Sequence, residues 1–430
     1  MEEFGFQNVK IESAGNYHFS SWDNLKTYAA MTAPYYANFA CNPIAWTGST
    51  NGAVKGEVIY LDIKSDADFE KYRGGLSGRI VLLPSSQKYE VSFEPLASRL
   101  TDEQLDELSK PNTARPNIIV DFTAEELLGE KIKAFVNEEK AAVALNNLGM
   151  FNVPSSKSWY YRRGDIEPVA QLALPVEAHG RLERLLQHGI TVEMEVEILN
   201  RFFDNSTVYN IFGEIPGTDN VLKDEVVMIG AHLDSWHGGT GAADNAAGCV
   251  VMMEALRILI ALNESPKRTI RVALWGGEEQ GLLGSRSYAY KYLGDQITKE
   301  LQPDFDKFAG YFNMDNGTGK YRGIYLQENE LVRPIFEEWM KPFADIGMTT
   351  ISPNRVGSTD HVSFNALGLP AFQFIQDRIE YYRGYHTVMD TYDRLIMTDL
   401  KHNAVITAAF AWNAANRPDK LPAKPALPDK

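Results

Sequence analysis

Cysteine is scarce in this chain. The 430 residues contain two, Cys41 and Cys249, in distant parts of the sequence, so no disulfide framework is expected to hold the fold. Positive charge is also in deficit: 42 Lys and Arg stand against 57 Asp and Glu, a net charge of -15, and no basic block offsets it. Such a chain repels phosphate backbones and anionic surfaces, which argues against nucleic-acid binding. No apolar run is long enough for a membrane span. The N-terminus, Met1-Glu-Glu-Phe-Gly-Phe, lacks the basic start and apolar stretch of a signal peptide. Because that start is abrupt, a removed leader is compatible with it, and the compartment stays open. Internal repeats are absent too.

What is present is an ordinary globular composition, 44% hydrophobic, with length enough for two or three domains. Residues 1 to about 52 are aromatic-rich and read as irregular, an edge element plus linker, with Trp22, Trp46 and a turn at Gly48-Ser-Thr-Asn-Gly52. A new unit begins at Gly56. Val58 to Leu61, Arg79 to Leu83 and Asn117 to Val120 read as its strands, Lys131 to Leu148 as an Ala-rich helix, and Leu182 to Ile190 as another. From Val208 the pattern becomes strand, loop, helix, with strands at 226–230, 270–275, 310–313, 323–326 and 370–375. A helix over 398–416 and a Pro- and Lys-rich tail that reads as disordered complete the chain. The expected organisation is therefore an N-terminal segment (1–55) joining the catalytic domain, a separate module (56–200), an α/β catalytic domain (201–417) and a tail (418–430).

The chemistry gathers at strand ends. Val226-Val-Met-Ile-Gly-Ala-His232 is a buried-strand run opening into a loop, and the glycine-rich stretch after it delivers Asp244 at a helix entry. A His and an Asp converging on a stiff frame suit zinc. Three further segments share this placement: Trp275-Gly-Gly-Glu278-Glu279, Asn313-Met-Asp315 and Tyr385-His386. Adjacent carboxylates at Glu278 and Glu279 repel in a low-dielectric cleft unless cations or a proton neutralise them, as two metal ions and a bound water would.

In that order, Ala-His-Leu-Asp-Ser-Trp, Ala-Asp-Asn-Ala-Ala-Gly, Gly-Glu-Glu-Gln-Gly, Met-Asp and Tyr-His-Thr with a later Asp-Thr resemble the di-zinc peptidase family of aminopeptidases and carboxypeptidase Q. The likeness is strong over 208–415. More weakly, 56–195 resembles the protease-associated domain inserted in many members, and the helical region usual upstream of it is missing. The resemblance implies an α/β fold with a mixed, mainly parallel sheet flanked by helices, of the phosphorylase/hydrolase-like zinc-peptidase kind, with a β-rich insert. It implies two zinc ions: His232 and Asp315 on one, Glu279 and His386 on the other, Asp244 bridging. Glu278 matches the general base and Tyr385 a donor to the oxyanion. Asp234 is expected to orient a ligating His by accepting its second N–H through the carboxylate. Gly357-Ser-Thr-Asp360-His361 is expected to line the substrate pocket, with His361 not a ligand.

The function expected is a zinc exopeptidase acting on peptides, with a second copy of the chain as candidate protein partner and an exported location implied by the family. An aminopeptidase needs a spare carboxylate for the substrate ammonium, for which Asp360 and Asp377 are candidates; a carboxypeptidase needs cations, for which Arg355, Arg378 and Arg383 are. The acidic balance and the wider family favour the aminopeptidase. A carboxypeptidase Q-like carboxypeptidase or dipeptidase is the main alternative, ahead of a glutaminyl cyclotransferase or a non-catalytic receptor-like module.

Overall fold

The structure, a computed structural model, describes residues 1–424 apart from 18, 86–90, 113–122, 149–151, 156–161 and 163. Its strands are β1 (Gln7–Asn16), β2 (Ser21–Ala33), β3 (Ala37–Asn38), β4 (Asn42–Pro43), β5 (Val54–Tyr60), β6 (Ile80–Leu82), β7 (Val143–Asn147), β8 (Ala170–Leu174), β9 (Glu193–Phe203), β10 (Thr207–Ile215), β11 (Val226–His232), β12 (Thr269–Trp275), β13 (Phe308–Asn313), β14 (Tyr321–Tyr325), β15 (Thr350–Ser352) and β16 (Ala371–Gln376). Helices are α1 (Asp102–Leu108), α2 (Ala124–Glu138), α3 (Val176–Gln187), α4 (Ala247–Ala261), α5 (Leu283–Tyr288), α6 (Arg333–Met340), α7 (His361–Asn365), α8 (Tyr381–Gly384) and α9 (Met397–Asn416). Among the described residues no helix is long and apolar enough to cross a membrane.

The strands form two sheets. The first runs β1-β10-β12-β11-β13-β16-β14-β15, with β12, β11, β13 and β16 mutually parallel. These four are almost wholly buried, as expected of strands covered on both faces. One face packs α4 and α9 around Phe312, Phe374 and Phe410. The other is aromatic: Trp275 and Tyr311 lie against Phe364 of α7 and Tyr288 of α5. Trp275 Nε1 donates to the Tyr311 hydroxyl at 2.8 Å and Asn313 Nδ2 to Thr359 Oγ1 at 2.9 Å, so these two buried donors beneath the strand ends are satisfied. The second sheet runs β3-β2-β9-β5-β6-β7-β8-β4, with its own core and α2 and α3 beside it. The expected mixed α/β fold with helical flanks is the one observed.

Several local expectations are corrected. Residues 1–52 are not irregular: β1 spans ten residues and β2 thirteen, divided between the sheets, β1 on β10 and β2 on β9. The helix expected over 131–148 stops at Glu138, and Val143–Asn147 is a strand. Lys140, with φ +57, breaks the helix, and the run Val143-Ala-Leu is inserted fully buried between β6 and β8. The helix start also moves, because Thr123 and Glu126 form a reciprocal cap that begins α2 at Ala124. The tail is ordered through residue 424: Leu421 is buried, its N–H bonds the Ala309 carbonyl, and buried Arg268 donates to the Pro418 carbonyl. The strand expected at 117–120 lies outside the described residues.

The two sheets are joined by two adjacent crossings, 17–20 and 204–206, tied by Ser206 Oγ donating to the Tyr17 carbonyl at 2.6 Å. They meet again elsewhere. Ser98 and Ile379 exchange backbone hydrogen bonds, and Asp377, with no exposed surface, accepts from Arg99 (2.8 Å), Arg322 (2.9 Å) and the Leu100 N–H (3.0 Å). Asp377 is thus bound inside a structural cluster and is not free to meet a substrate. Replacing it with Ala removes the buried acceptor that ties part-buried Arg322 and the Leu100 N–H together, which should lower stability by about 1–3 kcal/mol. Denaturant melts of D377A should show an earlier midpoint; an unchanged one would mean that the cluster does not hold the segment.

Candidate metal centre

Parallel strands lie about 4.8 Å apart, so side chains leaving the same end of neighbouring strands converge. His232 is the last residue of β11, Glu278 and Glu279 follow β12, and Asp315 follows β13. Asp244 comes from the turn ahead of α4, where Gly241 takes φ +61 and a Cβ would stand 2.3 Å from the Ser235 side chain. His386 arrives from the loop after α8.

All six meet. His232 Nε2 lies 3.1 Å from Asp244 Oδ1 and 3.3 Å from Asp315 Oδ1. His386 Nε2 lies 3.3 Å from Asp244 Oδ2 and 3.0 Å from Glu279 Oε2. Ligand atoms of His232, Glu278 and Asp315 gather within 4.8 Å, as do those of Asp244, Glu279 and His386. Asp244 faces both groups with one oxygen each. The donor set of imidazole nitrogens and carboxylate oxygens suits a zinc-like ion, and Glu279 Oε1 is buried without a hydrogen-bond donor, as a cation's ligand would be.

The electrostatics agree. Burial and the neighbouring Asp315 push the Glu278 carboxyl up to about 10. Burial alone would lower His386, but hydrogen bonds to Asp244 and Glu279 outweigh it and raise the imidazole to about 9. His232 is likewise raised, Asp315 and Asp244 overcoming its burial.

Asp234 sits where expected but acts otherwise. His232 Nδ1 meets the Asp234 backbone carbonyl at 2.9 Å, whereas the nearer carboxylate oxygen is 3.8 Å away. The carboxylate instead accepts the Glu278 N–H (3.0 Å) and the Glu279 N–H (3.2 Å), fixing the turn that presents both glutamates. Asp360 and His361 do not line the pocket: both are wholly buried, Asp360 under His232 and Asp315 and His361 bonding the Val356 carbonyl. Tyr385 stacks on His386 with centroids 3.5 Å apart, and burial with nearby Asp244 raises its hydroxyl. His237 bonds the Pro43 carbonyl at 2.7 Å and packs on Trp22, so it belongs to the contact between the sheets.

Asp390 was left without a role by sequence reasoning. Its oxygens accept the Ala243 N–H at 2.6 Å and the Asp244 N–H at 2.9 Å, clamping the turn that carries Asp244. The Asp-Thr dipeptide was visible, but nothing local links it to a turn so far away in sequence.

Residues 210–411 match the model of Peptidase family M28. The matched region contains all six residues of the centre. The chain is 26% identical to carboxypeptidase Q of Mus musculus over 98% of this chain and 80% of that protein, while alignments with five further carboxypeptidase Q sequences span 47% to 57% of theirs. In fold it is similar to an M28 peptidase precursor from Shewanella amazonensis (TM-score 0.69, 22% identity, 99% of this chain and 88% of that one). It is also similar to a zinc aminopeptidase from Bacillus subtilis (TM-score 0.58, 18% identity, 97% and 86%). The proteins it resembles are peptidases, and the Bacillus subtilis aminopeptidase among them is a zinc enzyme.

A raised imidazole is protonated at pH 7 in the metal-free chain, yet a histidine binds metal only when neutral. Zinc binding to the metal-free protein should therefore release protons and tighten as pH rises toward 9, the value of His386. Calorimetry in buffers of different ionisation enthalpy reads this directly. Heats that do not depend on the buffer would contradict it.

Proposed function

We propose that the enzyme is a di-zinc aminopeptidase in which His232 and Asp315 hold one ion, Glu279 and His386 the other, and Asp244 bridges them. The observation that carries this reading is charge. Asp234, Asp244, Glu278, Glu279, Asp315 and Asp360 crowd one site, and none of the largest influences on the carboxyls of Asp234, Asp244, Glu278, Glu279 and Asp360 comes from Lys or Arg. Two divalent ions leave such a set of carboxylates with surplus negative charge, which a substrate ammonium relieves and a substrate carboxylate would worsen. Asp377 plays no part in this, being bound elsewhere.

When bound, the ions polarise the scissile carbonyl and acidify a water. Glu278 takes that water's proton and passes it to the leaving amine. In the metal-free chain this carboxyl is held protonated by burial and by Asp315; cations on Asp315 and Glu279 relieve that repulsion and return it toward the range of a working base. Asp234 keeps the backbone of both glutamates in place, and Asp390 does the same for Asp244. Tyr385 donates its hydroxyl to the oxyanion.

The second reading, a carboxypeptidase Q-like carboxypeptidase or dipeptidase, is favoured by the likeness to carboxypeptidase Q over nearly the whole chain and by Arg378 beyond the end of β16. A receptor-like module is disfavoured, because five competent ligands and a base come together. The second sheet, centred on 56–200, is taken as the protease-associated-like insert. A homodimer and an exported location belong to the same proposal, on family likeness.

Elemental analysis should find two zinc ions per chain, and Asp244→Ala should lower that number; a saturating stoichiometry of one that D244A leaves unchanged would remove the bridge. Glu278→Gln should keep both ions and lose about 100- to 10,000-fold in turnover, the usual cost of removing a general base. Near-normal activity, or loss of zinc, would show that Glu278 is not the base. A peptide with free N-terminus and amidated C-terminus should be cleaved and an N-acetylated peptide with free C-terminus spared. The reverse pattern would establish the carboxypeptidase reading.

A further inference from the structure

A cavity of about 530 Å³ opens beside β16, lined among others by Ser98, Leu100, Glu107, Lys110, Asn354 and Arg378. That volume is in the range of small-ligand pockets. Its walls come from opposite parts of the chain and are pinned together. Ser98 and Ile379 pair through their backbones, Arg322 donates to the Leu100 carbonyl at 3.0 Å, and Asn354 donates to the Lys110 carbonyl at 2.8 Å while accepting the Asn112 N–H at 2.6 Å.

The two cations at the cavity differ in their surroundings. Lys110 lies 3.1 Å from Glu107 and 2.8 Å from Asp106, so its charge is already met by carboxylates. Arg378 forms no ion pair among the described residues. Its guanidinium rests on the face of Tyr382, 5.5 Å from the ring centre, with its forked donors available.

Position connects this cavity to the metal centre. Arg378 stands two residues beyond the end of β16, on the same edge of the sheet as His232 and Asp315 and one strand past β13. An aromatic ladder spans the interval: Tyr382 lies 6.4 Å from Tyr385, which lies 3.5 Å from His386. From the guanidinium to the imidazole this path is no longer than about 15 Å, the reach of about four extended residues.

We infer that this cavity is a distal subsite in which Arg378 binds the C-terminal carboxylate of a short peptide whose other end lies at the metal centre. The inference rests on the peptidase reading and deepens it: the preferred substrates are free-acid oligopeptides of a few residues, and Arg378 sets their length. A bidentate guanidinium–carboxylate contact is among the stronger charge-assisted pairs, enough to alter apparent affinity about tenfold to a hundredfold.

The test compares alanine oligomers of two to five residues as free acids and as C-terminal amides, assayed with the zinc-loaded enzyme and with its Arg378→Ala and Arg378→Lys variants. The native enzyme should favour the acid over the amide most at one length, mainly through KM; R378A should bring that ratio close to one and R378K should restore part of it. Calorimetric binding of the same acids and amides to Glu278→Gln, with and without R378A, should show the same loss without any turnover. An acid-to-amide ratio that R378A leaves unchanged would overturn the subsite, as would an equal loss on acids and amides. Failure of the aminopeptidase reading appears separately, as cleavage of N-acetylated peptides, and leaves the acid-to-amide comparison valid.

Discussion

Mutual repulsion among buried carboxylates is the constraint on which this molecule is built. Six of them gather at one end of a sheet, in surroundings where like charges cannot all stay ionised without compensation. Two imidazoles reduce the repulsion and cations complete its removal. The neighbouring structure keeps the groups from relaxing apart: two carboxylates serve as backbone anchors, Asp234 for the glutamate turn and Asp390 for the Asp244 turn, and buried hydrogen bonds around Trp275 and Asn313 stiffen the strands beneath. The acids nearest the centre thus divide between those whose oxygens converge on the two histidines and those that hold the backbone of the others.

The site was legible because its residues lie at ends of buried parallel strands, and such strands announce themselves as short apolar runs closed by Gly or a polar residue. His232, Glu278, Glu279 and Asp315 all follow such runs. What sequence left dark was how carboxylates at the site divide their work. A carboxylate next to a ligating His suggests a side-chain hydrogen bond, but Asp234 uses its carbonyl for His232 and its side chain for two amides from another strand end. Nothing in local sequence distinguishes those uses. Asp390 and Asp244 are 146 residues apart, and only the fold brings them together.

Other parts misled for identifiable reasons. In β1 and β2 the alternation of apolar and polar residues is blurred by exposed Ile11 and Leu25, so two long strands read as irregular chain. At 131–148 an Ala-rich helix passes into an Ala-containing buried strand, and the break at Lys140 depends on a backbone conformation that composition does not reveal. Asp377 looked available because it follows a strand at the active edge; only its three donors, two of them from residues 99–100, show that it is occupied.

The two histidines of the centre stand on different supports. His232 ends β11 in the middle of the first sheet, whereas the loop that bears His386 is held by the second unit: Ser155 donates to the His386 carbonyl at 2.8 Å and Val388 to the Val153 carbonyl at 3.0 Å. A run of aromatic contacts, Phe19 to Trp46 to Trp236 to His386, leads to the same loop from the crossing between the sheets. The spacing between the two imidazoles is thus set by how the sheets pack, and the centre is a seam between them as much as a site on one.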